Sequence, residues 1–206
     1  MIRVLVAEDQ AMVRGALVSL LSLEDDITVV AEVERGDQAV AAARTHRPDV
    51  ALLDVEMPGL DGIAAAAEIA REAPETRSLI LTTFGRPGYL RRALEGGATG
   101  FLLKDAPAAD LASAIRAVAE GRRVVDPQLA AEAIAEGESP LTPREHDVLA
   151  AAATHQTAAE IAAGLHLSEG TVRNYLSAAI RKLGARNRRE AVELAMQKGW
   201  LERRPG

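Results

Sequence analysis

Val50-Ala51-Leu52-Leu53-Asp54-Val55-Glu56-Met57-Pro58-Gly59-Leu60-Asp61-Gly62 is the stretch around which the first part of the chain is organised. Its four leading apolar residues read as a short strand covered on both faces of a sheet. The strand ends on a carboxylate, Asp54, and Met57-Pro58-Gly59 then breaks it. In open α/β sheets the carboxyl ends of strands are where ligands bind. Taken alone, an Asp in that position is a turn former or a helix cap, so its neighbours decide its meaning.

Working outward, residues 2–7 form a mostly apolar strand that runs into Glu8-Asp9, and Met12, Val13, Ala16, Leu17, Leu20 and Leu21 follow at helical spacing. Further strands are expected at 27–33, 79–83 and 100–103. Helices are expected at 36–46, from Gly62 onward, around Leu90 and Leu94, and at 108–120. Strands alternating with helices imply parallel pairing with right-handed crossovers, hence a three-layer α/β sandwich. That topology brings Glu8, Asp9, Asp54, Thr82 and Lys104 to one edge. Two or three carboxylates form a hard oxygen set suited to Mg²⁺, and Asp54 can act as a nucleophile that forms an aspartyl-phosphate. Lys104 offers a point charge to a phosphate oxygen, and Thr82 a hydroxyl donor.

The chain has 206 residues, 48% of them apolar, with two Phe, two Tyr, one Trp and no Cys. This suits one large or two ordinary domains with Ala-rich helical packing and no disulfides or zinc–cysteine sites. No apolar run approaches the roughly 18 residues of a membrane span, so a cytoplasmic protein without membrane insertion is expected. The charge is uneven. Residues 1–125 carry 14 basic and 19 acidic side chains, residues 126–140 none and four, and residues 141–206 ten and seven. The acidic whole argues against nonspecific polyanion binding, while the basic last third permits contact with nucleic acid.

Asp-x-x-Met-Pro-Gly-x-Asp-Gly and Gly-Phe-Leu-Leu-Lys, with Glu8-Asp9, make residues 1–125 resemble the receiver domain of two-component response regulators. The resemblance implies a flavodoxin-like, five-stranded parallel sheet, with Asp54 as phosphoacceptor and Glu8 and Asp9 as the acidic metal pair. It also implies that Glu56 gives Mg²⁺ its backbone carbonyl, and that Thr82 and Lys104 are the hydroxyl and the lysine of the site. Phe101 falls on the aromatic position that turns inward with Thr82 on phosphorylation. Phe keeps that packing switch but lacks the hydroxyl of the Tyr often found there.

Residues 121–141 are punctuated by Gly121, Pro127, Gly137 and Pro140 and made acidic by Glu132, Glu136 and Glu138. A short helix around 128–135 and a connector are expected there. Beyond them only helices are suggested, at 143–153, 157–164, 169–183 and 187–198. Thr142-Pro143-Arg144-Glu145 is a helix start with a cap and a Pro in the first turn. Thr157 begins the next helix, Gly164 is expected to end it, and Ser168 caps a third. Helix, short turn, helix is the helix-turn-helix outline. In the third helix Val172, Leu176, Ala179, Ile180 and Leu183 should face inward, with Arg173, Asn174, Ser177 and Arg181 opposite. Arg suits guanine edges, Asn adenine and Ser either, while Thr171, Arg181 and Lys182 can hold phosphates.

Leu-Thr-Pro-Arg-Glu, Ala-Glu-Ile-Ala, Leu-Ser-Glu-Gly-Thr-Val-Arg-Asn-Tyr-Leu-Ser and Arg-Lys-Leu-Gly closely resemble the LuxR-type DNA-binding domain over about residues 138–200. Receiver plus LuxR-type domain is the arrangement of NarL/FixJ transcriptional response regulators. Asn174-Tyr175-Leu176-Ser177 and the ending Gln-Lys-Gly-Trp-Leu are similar to the subgroup containing the thermosensing regulator of a fatty-acid desaturase. The resemblance places base contacts on Arg173, Asn174 and Ser177, with Tyr175 where His is frequent. It divides the chain into a receiver (1–121), a linker with a short helix (122–139) and an all-α four-helix helix-turn-helix domain (140–206). The implied function is phosphorylation-dependent transcription control rather than catalysis, with a sensor histidine kinase, an operator duplex and a second copy of the chain as partners. The family dimerises through its first and fifth helices or through its fourth helix and fifth strand, and the apolar content of 108–120 favours the former here. Two rival readings are a phosphorylation-independent DNA binder with a vestigial receiver and a Mg²⁺-dependent aspartyl-phosphate hydrolase. The latter needs a substrate cap, for which no insertion is present.

Overall fold

The first apolar run becomes β1 (Ile2–Ala7), and its alternate residues point to opposite faces of the sheet. Val4 and Val6 pack on one side with Leu52, Leu79, Leu81 and Leu102, and Leu5 and Ala7 on the other with Leu53, Ile80 and Phe101. The computed structural model describes residues 1–83, 87–127, 129–131, 139–154 and 157–201. The chain divides into two compact units at about residues 133–134.

In the first unit β1 is followed by α1 (Ala11–Leu21), β2 (Ile27–Val33), α2 (Gly36–His46), β3 (Val50–Asp54) and α3 (Gly62–Glu72). Then come β4 (Arg77–Thr82), α4 (Pro87–Glu95), β5 (Gly100–Leu103) and α5 (Ala108–Ala119). The strands pair in parallel in the order β2-β1-β3-β4-β5, so the order reverses between β1 and β3. This is the three-layer sandwich expected, and all five residues of β3 are buried. One strand was not foreseen. Val124–Val125 forms β6, parallel to β5 and opposite Gly100 and Phe101, so the sheet has six strands and reaches into the stretch read as a connector. Two half-buried valines are too short to show a period, which is why the sequence gives no sign of pairing. Of the short helix expected around 128–135, residues 129–131 are helical. The remainder, with Glu132, Glu136 and Glu138, lies outside the described residues.

The second unit contains α6 (Pro143–Ala152), α7 (Ala158–Leu165), α8 (Glu169–Lys182) and α9 (Arg188–Gln197). Val148, Leu149, Ile161, Val172, Leu176, Ala179 and Ala191 form its core. Thr142 and Glu145 exchange hydrogen bonds in a capping box at the start of α6, and Thr157 and Glu160 do the same for α7. Gly164 does not end α7. The helix continues through Leu165, and His166 takes the left-handed conformation at φ 54 instead. Among the described residues no helix is long and apolar enough to cross a membrane.

Candidate functional site

The strand ends converge as the topology requires. Glu8 and Asp9 follow β1, Asp54 closes β3, Thr82 closes β4 and Lys104 follows β5. Glu8 is 1% exposed, Asp54 5% and Thr82 3%, so two carboxylates and a hydroxyl lie below the surface, while Asp9 is exposed. Carboxylate oxygens of Glu8, Asp9 and Asp54 all lie within 4.8 Å of one another. The Lys104 ammonium stands 2.6 Å from Glu8 Oε2 and 3.1 Å from Asp54 Oδ1. The backbone N–H of Val55 also donates to Asp54 Oδ1, at 2.8 Å. Arg14 on α1 donates to the Glu8 carbonyl at 2.6 Å, and the Lys104 backbone N–H donates to the Thr82 carbonyl at 2.8 Å. The cluster therefore rests on backbone held by several elements.

Burial raises the pKa of Asp54 to about 6. The Lys104 charge opposes this, the Glu8 charge adds to it, and the Val55 N–H opposes it. Burial also works against the Lys104 ammonium, but its hydrogen bond to Glu8 and the charges of Asp54 and Glu8 outweigh that, and its pKa lies above the ordinary lysine value. The Asp54 carboxyl, its acidity lowered by burial, thus faces one fixed cation, the Lys104 ammonium.

The loop after Asp54 explains its own spelling. Gly59 turns the chain at φ +79. The Asp61 side chain caps α3 by accepting from the Ala64 N–H at 2.7 Å. Gly62 passes so close to β3 that a Cβ there would meet the Asp54 carbonyl oxygen at 1.8 Å. Glu56 is exposed on this loop and lies outside the carboxylate group. Phe101 is fully buried in the same apolar cluster as Ile80, Tyr89, Leu90 and Ala93.

In the second unit, Val172, Leu176 and Ala179 of α8 are buried, and Ile180 and Leu183 pack against them half-buried. Arg173, Asn174, Ser177 and Arg181 are exposed. Ser168 caps α8 by accepting from the Thr171 N–H, and its hydroxyl lies 2.8 Å from that of Thr171. Tyr175 is half-buried against the core. Lys182, also exposed, has a partner inside the unit. Its ammonium lies 2.7 Å from Glu145 Oε2, the oxygen that also accepts from the Thr142 N–H, so its charge is engaged within the unit. Lys182 first, then the Thr142 N–H, hold the Glu145 carboxyl below its ordinary pKa.

Comparison with known proteins agrees with this geometry. Residues 4–116 match the response regulator receiver domain, and residues 139–195 match the bacterial regulatory proteins of the luxR family. The chain belongs to the receiver–LuxR family of response regulators. It is 47% identical over 201 residues to the transcriptional regulatory protein YvfU of Bacillus subtilis (strain 168), covering 98% of this chain and all of that one. Over 202 residues it is 45% identical to the transcriptional regulatory protein DesR of the same strain, with the same coverage. Among solved structures, the response regulator ChrA of a heme-sensing two-component system shares 38% identity at a TM-score of 0.59, covering 96% of this chain and 97% of that one. The response regulator RcsB in complex with DNA shares 26% identity at 0.68, covering 95% and 98%. Family membership makes this a transcription regulator and not an enzyme.

Three features of this response regulator escaped the sequence reading. Glu145, the residue that answers the Thr142 cap, also binds Lys182 on another helix, and no local spacing announces that pairing. Glu169 pairs with Arg173, a contact their i, i+4 spacing could have revealed. The apolar face left open is not on α5, whose Leu111, Ala112, Ala114, Ile115 and Val118 are consumed by the receiver core. Among the described residues, the large apolar side chains left exposed, apart from Met1, are on α1 and just after it, where Met12 is 88% exposed, Leu20 39% and Leu23 78%.

Proposed function

We propose that Asp54 accepts a phosphoryl group from a sensor histidine kinase, and that this event governs binding of the second unit to double-stranded operator DNA. One observation carries the reading: three carboxylates and the Lys104 ammonium meet at the carboxyl edge of the sheet, where the strand order reverses. Glu8, Asp9 and Asp54 are all-oxygen donors close enough to share one ion. They fit Mg²⁺, with the Glu56 backbone carbonyl as a further ligand. Bound there, the ion supplies positive charge to the oxygens of the phosphoryl group in transfer.

The roles of the side chains follow from their contacts. Asp54 Oδ1 is engaged by Val55 and Lys104, which leaves Oδ2 to attack phosphorus as the bond to the kinase histidine nitrogen breaks. Lys104 holds a phosphoryl oxygen, and the Thr82 hydroxyl donates to another. Thr82 pairs with Leu103 and Phe101 with Ile80 on the adjoining strands β4 and β5, so movement of Thr82 is transmitted to the packing around Phe101. On DNA, Arg173, Asn174 and Ser177 read base edges while Thr171 and Arg181 hold phosphates. Lys182 contributes least, because Glu145 already offsets its charge.

A second copy joins through α1, where Met12, Ala16, Leu20 and Leu23 leave an apolar stripe exposed. Two linked units then reach two half-sites, which one small helical unit cannot do.

The test combines a small-molecule phosphodonor with DNA binding. One phosphate per chain, dependent on Mg²⁺, lost in Asp54→Ala and accompanied by tighter operator binding, supports the proposal. Equal operator affinity for the phosphorylated protein, the unphosphorylated protein and Asp54→Ala establishes a phosphorylation-independent binder instead. Labelling unaffected by Asp54→Ala removes the phosphoacceptor assignment.

A further inference from the structure

Helix α8 carries an ion pair on its exposed face. The Arg173 guanidinium is hydrogen-bonded to the carboxylate of Glu169, one turn earlier, with the two side chains 67% and 49% exposed. An exposed pair of this kind adds little to stability. Among the described residues of the unit, the other two pairs at this spacing, Arg186–Glu190 and Arg189–Glu193, involve α9 and not the helix proposed to read bases. What distinguishes Glu169 is the partner it holds.

We propose that Glu169 is a positioning residue for base readout, which orients the Arg173 guanidinium toward a guanine edge. The inference rests on the reading of Arg173 as a base contact. Guanidinium is a rigid planar fork of five N–H donors, and guanine offers two acceptors, O6 and N7, to two of them. Arg reaches its target through a long flexible chain, so an unrestrained side chain samples many orientations that do not match. A carboxylate that engages one edge of the fork turns the remaining N–H groups outward and limits rotation.

The location suits this task. Glu169 is the first residue of α8, directly after the Ser168 cap. N-terminal residues of a recognition helix are the ones that face base edges. The positive end of the helix dipole favours an acidic side chain there. DNA phosphates, in contrast, repel it. Glu169 therefore weakens binding to any duplex while sharpening the choice of base opposite Arg173. Those opposite signs separate positioning from a merely structural role.

The experiment uses the full-length protein and a duplex enriched from a random pool by the unmutated chain. Arg173→Ala identifies the guanine it reads, as the base pair whose preference disappears. In Glu169→Ala, preference for that guanine falls about tenfold, within the range for losing one well-made bidentate contact. Affinity for a scrambled duplex rises several-fold, the salt dependence steepens, and the melting temperature is unchanged. Glu169→Gln retains an oxygen that accepts from Arg173 without its charge. It keeps most of the preference while matching Glu169→Ala on the scrambled duplex. Unchanged preference in Glu169→Ala overturns the inference. So does a loss at a neighbouring cytosine alone, which would mean that Glu169 reads that base directly. Enrichment of no sequence by the unmutated protein overturns the DNA-reading function itself, and the inference falls with it.

Discussion

Glu8, Asp54, Thr82 and Lys104 come from the ends of four strands, and three of the four are almost fully buried. Arg173, Asn174, Ser177 and Arg181 come from one helix and are exposed. A phosphoryl transfer site needs several charges converging on one atom with water held back, and only side chains arriving from separate elements can surround a point. Reading a duplex needs a protruding row of donors and acceptors, which a single helix provides once its other face is anchored. Substitutions should therefore couple stability and function in the first region and separate them in the second.

The largest effect is expected at Gly62. Gly62→Ala drives a methyl group into the Asp54 carbonyl and destabilises the first unit by about 3 kcal/mol. Thermal unfolding and phosphodonor labelling should fail together; a normal melting temperature would break the comparison on the receiver side. Lys104→Met comes next. It leaves Glu8 and Asp54 buried without their cation, at a cost of about 2–3 kcal/mol. Added Mg²⁺ should recover part of that loss in a melting experiment, and no recovery would argue against the carboxylates as an ion site. Arg173→Ala is the counterpart in α8. Specific duplex binding should drop at least tenfold, while the melting temperature and labelling of Asp54 stay unchanged; lost labelling would mean the two regions are misassigned.

The pair of Glu145 and Lys182 is the exception within the DNA-binding unit, because the exposed Lys182 is bonded to a buried carboxylate. Lys182→Met should cost about 1–2 kcal/mol, by leaving the buried Glu145 carboxylate short of a partner. The salt dependence of DNA binding should barely change. Fluorescence of Trp200, the chain's one Trp and part of this unit's packing, reports the unfolding. The smallest effect concerns acid. The folded pKa of Glu145 is depressed, so its stabilising contribution is complete above the ordinary glutamate value of about 4.3 and is lost as pH falls through the depressed one. Glu145→Gln should flatten the acid limb of the Trp200 unfolding profile, and an unaltered limb would remove Glu145 from that account.

Much of the architecture could be read directly from residue order. The apolar run 50–53, the helical spacing in 62–72 and the caps at Thr142, Thr157 and Ser168 are local signals, and local hydrogen bonds and periodicity act over a few residues. β6 was missed because two valines carry no period, and the end of α7 was misjudged because His166, not Gly164, adopted the left-handed turn. The apolar residues of α5 suggested an outward face, but the sheet buries them, and the open stripe lies on α1.

By itself the order of residues determined the alternation of strands and helices, the presence of an acidic set with a lysine, and a polar face on the third C-terminal helix. Each of these is a short-range pattern of side-chain type. Only the tertiary structure decided that Lys104 bridges Glu8 and Asp54, that Gly62 must lack a side chain, and that Lys182 faces Glu145. Those facts depend on distances between residues remote in the chain, and packing rather than spacing sets such distances.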